Sequence, residues 1–262
     1  MTLVITDPRT DARWHDLVQR HPHSSLFHSP EWNNVLADTY NFPEEAAMLL
    51  DASGAAQAGI SYCRIHDIRG ERIVSLPFSD HCDPLVSTMS EWQQLIRPLM
   101  DSSDQISVRS LHNDLLTDDA RFDTRKQACW HYKPISGDEE ALWKSIKKTA
   151  RHTINYVTQK GVQVRPATYD ELQQFYQMHL GIRKYKYHQL AQPFSFFDNI
   201  WQQFIARDHG QLIVATLDDV VIGAVMYLIW GDTLMCKFST SNPDYSQYSP
   251  SDVLFWEGIR YA

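Results

Sequence analysis

The stretch from Gln211 to Ala262 constrains the fold more than any other. Three runs rich in β-branched and aromatic residues, 212–217, 220–230 and 233–240, follow one another. Asp218-Asp219 and Gly231-Asp232 separate them, and two-residue breaks of this composition join antiparallel strands. A polar, turn-rich segment, 242–252, then opens onto Val253-Leu-Phe-Trp-Glu-Gly-Ile259. Ser249 as N-cap, Pro250 at the first helical position and Asp252 close behind predict a helix start there, near a capping box. Such a start is electropositive and faces the end of the sheet that precedes it.

Upstream, the chain alternates helices and strands twice. Helical spacing of Trp14, Leu17 and Val18 predicts a helix over 7–19, and Ser29-Pro30 starts another carrying Trp32, Val35 and Leu36. Residues 46–50 and 57–66 read as a strand pair about Ala52-Ser53-Gly54, and 72–76, 106–111 and 127–134 as further strands. Trp92, Leu95, Ile96 and Leu99 share one side of a helix over 90–100. A turn over 135–140 begins the second half. A long amphipathic helix or helix pair follows over 139–160, stopped by Gly161, then a strand over 162–166, and helices to His179 and over 194–207. The expected architecture is α/β, with two tandem lobes of mixed sheet flanked by helices, 1–135 and 136–262, and a cleft between them.

Composition narrows the classes. A net charge of −8 argues against a general coat for nucleic acid or anionic membrane, but leaves room for a local basic site. Cys63, Cys82, Cys129 and Cys236 are scattered without a CxxC pair, as reduced thiols are. The N-terminus lacks the basic and apolar regions of a signal peptide, and no apolar window approaches the ~20 residues of a membrane span. The expected location is the cytoplasm, including the cytoplasmic face of the inner membrane, where peripheral association would suffice.

Several short patterns together resemble a known family. These are Leu26-Phe-His-Ser-Pro-Glu-Trp32, Val74-Ser-Leu-Pro-Phe-Ser-Asp80 closed by Pro84-Leu85, the run from Trp143 to Gly161-Val162, Pro193-Phe-Ser-Phe-Phe197 and Tyr248-Ser-Pro-Ser-Asp-Val-Leu-Phe-Trp256. They are similar to the FemAB/CelD-type acyltransferases, whose members carry two GNAT-like lobes. The strand–hairpin–strand–loop–helix order from Gln211 onward is that of a GNAT core. The resemblance implies transfer of an acyl or aminoacyl group to an amine on a cell-envelope or exopolysaccharide precursor. The implied donor is acyl-CoA or aminoacyl-tRNA, bound as a substrate and not as a tight cofactor. The acceptor would be a phosphorylated, amino-sugar or peptide compound. Two departures stand out: Arg151-His-Thr-Ile-Asn155-Tyr-Val157 is less basic than the family pattern, and the family carries further strands beyond the position of Tyr261-Ala262.

The residues that could carry chemistry fall into four groups. Asp80, His81 and Asp83 form the densest reactive cluster, an imidazole between carboxylates suited to general-base work on an amine. Pro77 and Pro84 bracket that loop, which is expected to open into the cleft near Tyr248. Adjacent loop positions diverge, so no metal set is expected. Lys147, Lys148, Arg151 and His152 form one basic patch, with the candidate contact Asn155 on the same helix. Arg183, Lys184 and Lys186, interleaved with Tyr185 and Tyr187, form another, and the two are expected to converge on one anion. Lys237, Tyr245 and Tyr248 complete the candidate substrate contacts. Where a CoA-binding lobe has a small-residue pyrophosphate loop, this chain has Pro250 and Asp252, which remove a donor and repel an anion. Against enzyme activity stands a non-catalytic reading, a GNAT-like module that binds a ligand or partner in polysaccharide synthesis.

Overall fold

The computed structural model describes residues 1–68, 70–102, 105–135 and 137–262. The chain divides into two compact units, Met1–His131 and Tyr132–Ala262. Ser136, where the second lobe was expected to begin, lies outside the described residues.

The first unit is a five-stranded sheet in the order β1-β2-β3-β4-β5, with β1 (Thr2–Thr6), β2 (Glu44–Leu50), β3 (Ala56–Asp67), β4 (Gly70–Val74) and β5 (Ile106–Ser107). All pairs are antiparallel except β4 with β5. Three helices join it: α1 (Ala12–Arg20), α2 (Pro30–Tyr40) and α3 (Met89–Ser102). Ser29 caps α2 through its hydroxyl, which accepts the Trp32 N–H at 3.1 Å, and Pro30 takes the first turn, where its missing donor costs nothing. Trp14 of α1 lies so close to β3 that a Cβ at Gly59 would stand 2.7 Å from its ring, so this contact requires glycine. Trp92, Leu95, Ile96 and Leu99 of α3 pack on Ala47, Leu49, Ile60 and Ile73 of the sheet.

The second unit is a four-stranded antiparallel sheet, β6 (Gln163–Pro166), β7 (Gly210–Leu217), β8 (Val220–Trp230) and β9 (Thr233–Ser241), in that order. The helices are α4 (Glu139–Ser145), α5 (Lys148–Gln159), α6 (Glu171–Gly181), α7 (Phe194–Gln203) and α8 (Pro250–Tyr261). Asp218 and Asp219 both have positive φ, 48° and 63°, as the tight β7–β8 hairpin requires. Side-chain alternation splits the helices between two faces. Ile213, Ala215, Val225 and Tyr227 pack against α5 and α8, whereas Phe238 meets Phe196, Phe197 and His179 of α6 and α7.

The elements depart from expectation at four places. Thr2–Thr6 is an edge strand on β2, although the N-terminus was read only for targeting signals. No strand forms over 127–134; those residues are exposed, although Trp130 meets the His81 ring. The strand expected over 106–111 ends at Ser107, because the following backbone turns to donate to Asp83. Ser249 does not cap α8 with its side chain: it sits in the left-handed region (φ 42°) with no side-chain cap bond.

Candidate functional site

In the first unit the expected reactive loop is tightly anchored. Asp83 is fully buried, and its Oδ1 accepts the Ser110 hydroxyl and the N–H groups of Leu111, His112 and Asn113 at 2.8–2.9 Å. His81 Nδ1 donates to Asp83 Oδ2 at 3.1 Å. Burial opposes ionisation of this carboxyl. The bonds from His81 and the three backbone donors outweigh that, and its pKa falls well below the usual carboxylate range. His28 is buried as well: Nδ1 accepts the Ser25 N–H at 3.0 Å, so Nε2 carries the proton and donates to the Asp83 carbonyl at 2.8 Å. Trp32 Nε1 donates to the Ser79 hydroxyl at 2.9 Å, and Arg109 donates to the Ser79 carbonyl. The structure therefore brings His81 and Asp83 together, while Asp80 is exposed. The His81 ring is held edge-on by Phe27, His112 and Trp130. Asp83 fixes it through Nδ1, the geometry that leaves Nε2 as the basic nitrogen.

In the second unit the notable backbone feature is on β9. Tyr227 pairs with Cys236 and Met226 with Phe238, so Lys237 is the extra residue of a β-bulge. Its side chain is 9% exposed and its ammonium lies 5.2 Å from the Phe238 ring centroid. A bulge re-aims a side chain that strict alternation would place elsewhere, and it interrupts the strand pairing at that point. After β9, Tyr245 and Tyr248 stand 6.3 Å apart, ring to ring, and pack on the core beneath α8. Pro250 is buried against Gly223 of β8, where a Cβ would meet it at 2.8 Å. Asp252 in the first turn of α8 has its pKa raised by burial.

The basic segments do not meet. Arg151 belongs to α5 and donates to the Lys144 carbonyl at 3.2 Å, on the α8 face of the sheet. Arg183, Lys184 and Lys186 form a π-helical turn, Ile182–Lys186, that prolongs α6 on the other face. One anion cannot take both Arg151 and Arg183, and the expected convergence is corrected here by strand alternation. Arg183 donates to the Leu190 carbonyl at 3.3 Å, while Lys184 and Lys186 lie over Tyr185 and Tyr187 at 5.0 and 5.4 Å. Such π-turns recur where a helix is adapted to a site. Asn155 lines a recess of about 910 Å³ with Trp143, Gln163, Trp256, Glu257 and Arg260. The two tryptophans stand 4.8 Å apart, and from the sequence they were named only within the family-like patterns.

Among the described residues, no group of three His, Cys, Asp or Glu could hold a metal ion, and no helix is long and apolar enough to cross a membrane.

Residues 144–262 match the family model of the acetyltransferase (GNAT) domain. The matched residues lie within the second unit. No curated protein matches the chain. Among solved structures, FemX is similar over 100% of this chain and 85% of its own, with a TM-score of 0.69 at 10% identity. The C-terminal domain (DUF2156) of an Agrobacterium fabrum protein named for lysylphosphatidylglycerol synthesis is similar over 95% of this chain and 73% of that one, with a TM-score of 0.51 at 14% identity. These are likenesses of fold, and the α/β class expected from the sequence, two sheets each flanked by helices, is the one the chain has. Within the matched residues the Lys237 bulge, the Tyr245–Tyr248 pair and the start of α8 follow one another directly.

Proposed function

We propose that the protein is an N-acyltransferase or aminoacyltransferase that modifies an amino group of a cell-envelope or exopolysaccharide precursor at the cytoplasmic side of the membrane. The observation that supports this most is the bulge at Lys237 inside a GNAT domain. A bulge in an edge strand takes backbone N–H groups out of the strand pairing, and donors aimed at a developing oxyanion are the largest single contribution to acyl transfer. The amine attacks the donor carbonyl, the tetrahedral oxyanion collapses, and the thiol or ribose hydroxyl leaves with a proton. The candidate bases are those of the first unit's loop: His81, which is 5% exposed and oriented by Asp83, and the exposed Asp80. Arg151, Asn155, Arg183, Lys184, Lys186, Lys237, Tyr245 and Tyr248 are the candidate substrate contacts, grouped by face as described above.

A non-catalytic reading draws on a different observation. Pro250 packed on Gly223 and a half-buried Asp252 leave the α8 start poor in donors for a pyrophosphate. The two readings separate in a thermal-shift screen of the full chain against acyl-CoAs, charged tRNA, nucleotide sugars and amines, because a ligand raises the melting temperature only if it binds the folded state. Stabilisation by one acyl donor and one amine acceptor is expected of the transferase. Stabilisation by non-acyl ligands alone supports the binding module.

A further inference from the structure

The first unit holds a recess of about 540 Å³ at the β5 edge of its sheet, lined in part by Arg72, Ser107, Arg121, Phe122, Asp123 and Arg125. Three guanidinium groups against one carboxylate is an unusual lining in a chain of net charge −8. Two of the arginines are held in place from behind. Arg72 makes a two-pronged pair with Asp67, at 2.9 and 2.8 Å, and Arg121 a similar pair with Asp119, at 2.8 and 2.6 Å. Neither aspartate lines the recess. Asp119 is itself fixed by the Trp92 indole N–H at 2.8 Å, and the Arg121 bond brings its pKa down to about 2. The Arg121 pair uses Nε and Nη2, which leaves the Nη1 donors to face elsewhere. Arg125 makes no hydrogen bond or ion pair among the described residues. Phe122 packs against the Trp92 ring, 5.6 Å centroid to centroid, and gives the recess a rigid apolar wall. Among the described residues β5 is the last strand of its sheet, with no strand paired to its outer edge.

We propose that this recess binds the phosphate or diphosphate group of a phosphorylated ligand. Guanidinium forks match phosphate oxygens in pairs, and arginines already oriented by carboxylates lose little side-chain freedom when the anion arrives. The sequence pointed for anion binding to Arg151 and Arg183, which lie on opposite faces of the other unit. The inference does not depend on acyl transfer, since binding is read without turnover.

The test is calorimetric titration of the full chain with inorganic pyrophosphate at low ionic strength, where charge pairing is least screened. Saturable 1:1 binding is expected, weakened about tenfold by Arg125→Ala and further by Arg121→Ala with Arg125→Ala, as loss of a charge-assisted contact implies. Arg125→Ala removes no pairing among the described residues, so its melting temperature should equal that of the natural chain and separate binding from folding. Arg20→Ala with Arg97→Ala, exposed charges outside both the recess and the candidate substrate contacts, should leave the affinity unchanged. Absence of saturable binding overturns the proposal. So does wild-type affinity in the Arg121/Arg125 double variant, or an equal loss in the Arg20/Arg97 variant.

Discussion

His81 Nδ1 donates to Asp83 Oδ2 at 3.1 Å, while the other oxygen of the same carboxylate holds the N–H groups of Leu111, His112 and Asn113. One buried side chain thus orients a candidate base and closes a loop about thirty residues further on. Asp83→Asn should separate these tasks. It keeps the shape but replaces an acceptor-only group with one that offers N–H to donors, and should destabilise the first unit by about 3–5 kcal/mol. Denaturant titration checks this. A loss under 1 kcal/mol would mean that the carboxylate is not the anchor.

Burial pushes the His28 pKa down to about 4. The unfolded chain therefore binds this proton first as pH falls, and the stability His28 contributes is lost from about pH 6.5 downward. Asp83, also depressed, adds a second loss below about pH 4. Urea midpoints measured from pH 7 to pH 4 should fall, and His28→Gln should flatten the upper part of that slope.

Glu44 works in the opposite direction. Both its carboxylate oxygens are buried without a hydrogen-bond partner among the described residues, and burial raises its pKa to about 9. The folded state keeps a proton that the unfolded state releases above about pH 4.5, so this position costs stability progressively as pH rises from 4.5 to 9. Glu44→Gln should be neutral at pH 4 and stabilising by on the order of 2 kcal/mol at pH 8. Equal effects at both pH values would show that the carboxyl is not held neutral.

Pro250 and Asp252 at the start of α8 lead to an expectation about the donor. Acetyl-CoA in large excess should leave the melting temperature unchanged, because the first turn offers few donors to a pyrophosphate. A clear upward shift that grows in Asp252→Asn would place CoA binding at this helix start after all.

What the sequence disclosed was local. The Ser29-Pro30 cap, the Asp218-Asp219 hairpin and the apolar stripe of α3 depend on residues a few positions apart, and each stands where its spacing predicts. Relationships across the sheet were hidden. Nothing near Asp83 announces that its partners are 110–113, and Arg72 is far in sequence from the Arg121 and Arg125 that share its recess. Period-two alternation does not show where an extra residue enters a strand, so Lys237 could be named but not recognised as the centre of a bulge. Residues 127–134 failed for the converse reason: strand-like composition alone does not make a strand.

Amine acylation is the central claim, and product mass tests it most directly. The full chain is incubated with acyl-CoAs or charged tRNA and a panel of amino-bearing envelope precursors, and each acceptor is weighed by mass spectrometry. The account predicts one acceptor heavier by an acyl or aminoacyl group, with turnover about 10²–10⁴-fold lower for His81→Gln and substrate binding retained. No mass gain with any donor from a folded, ligand-binding chain would contradict it.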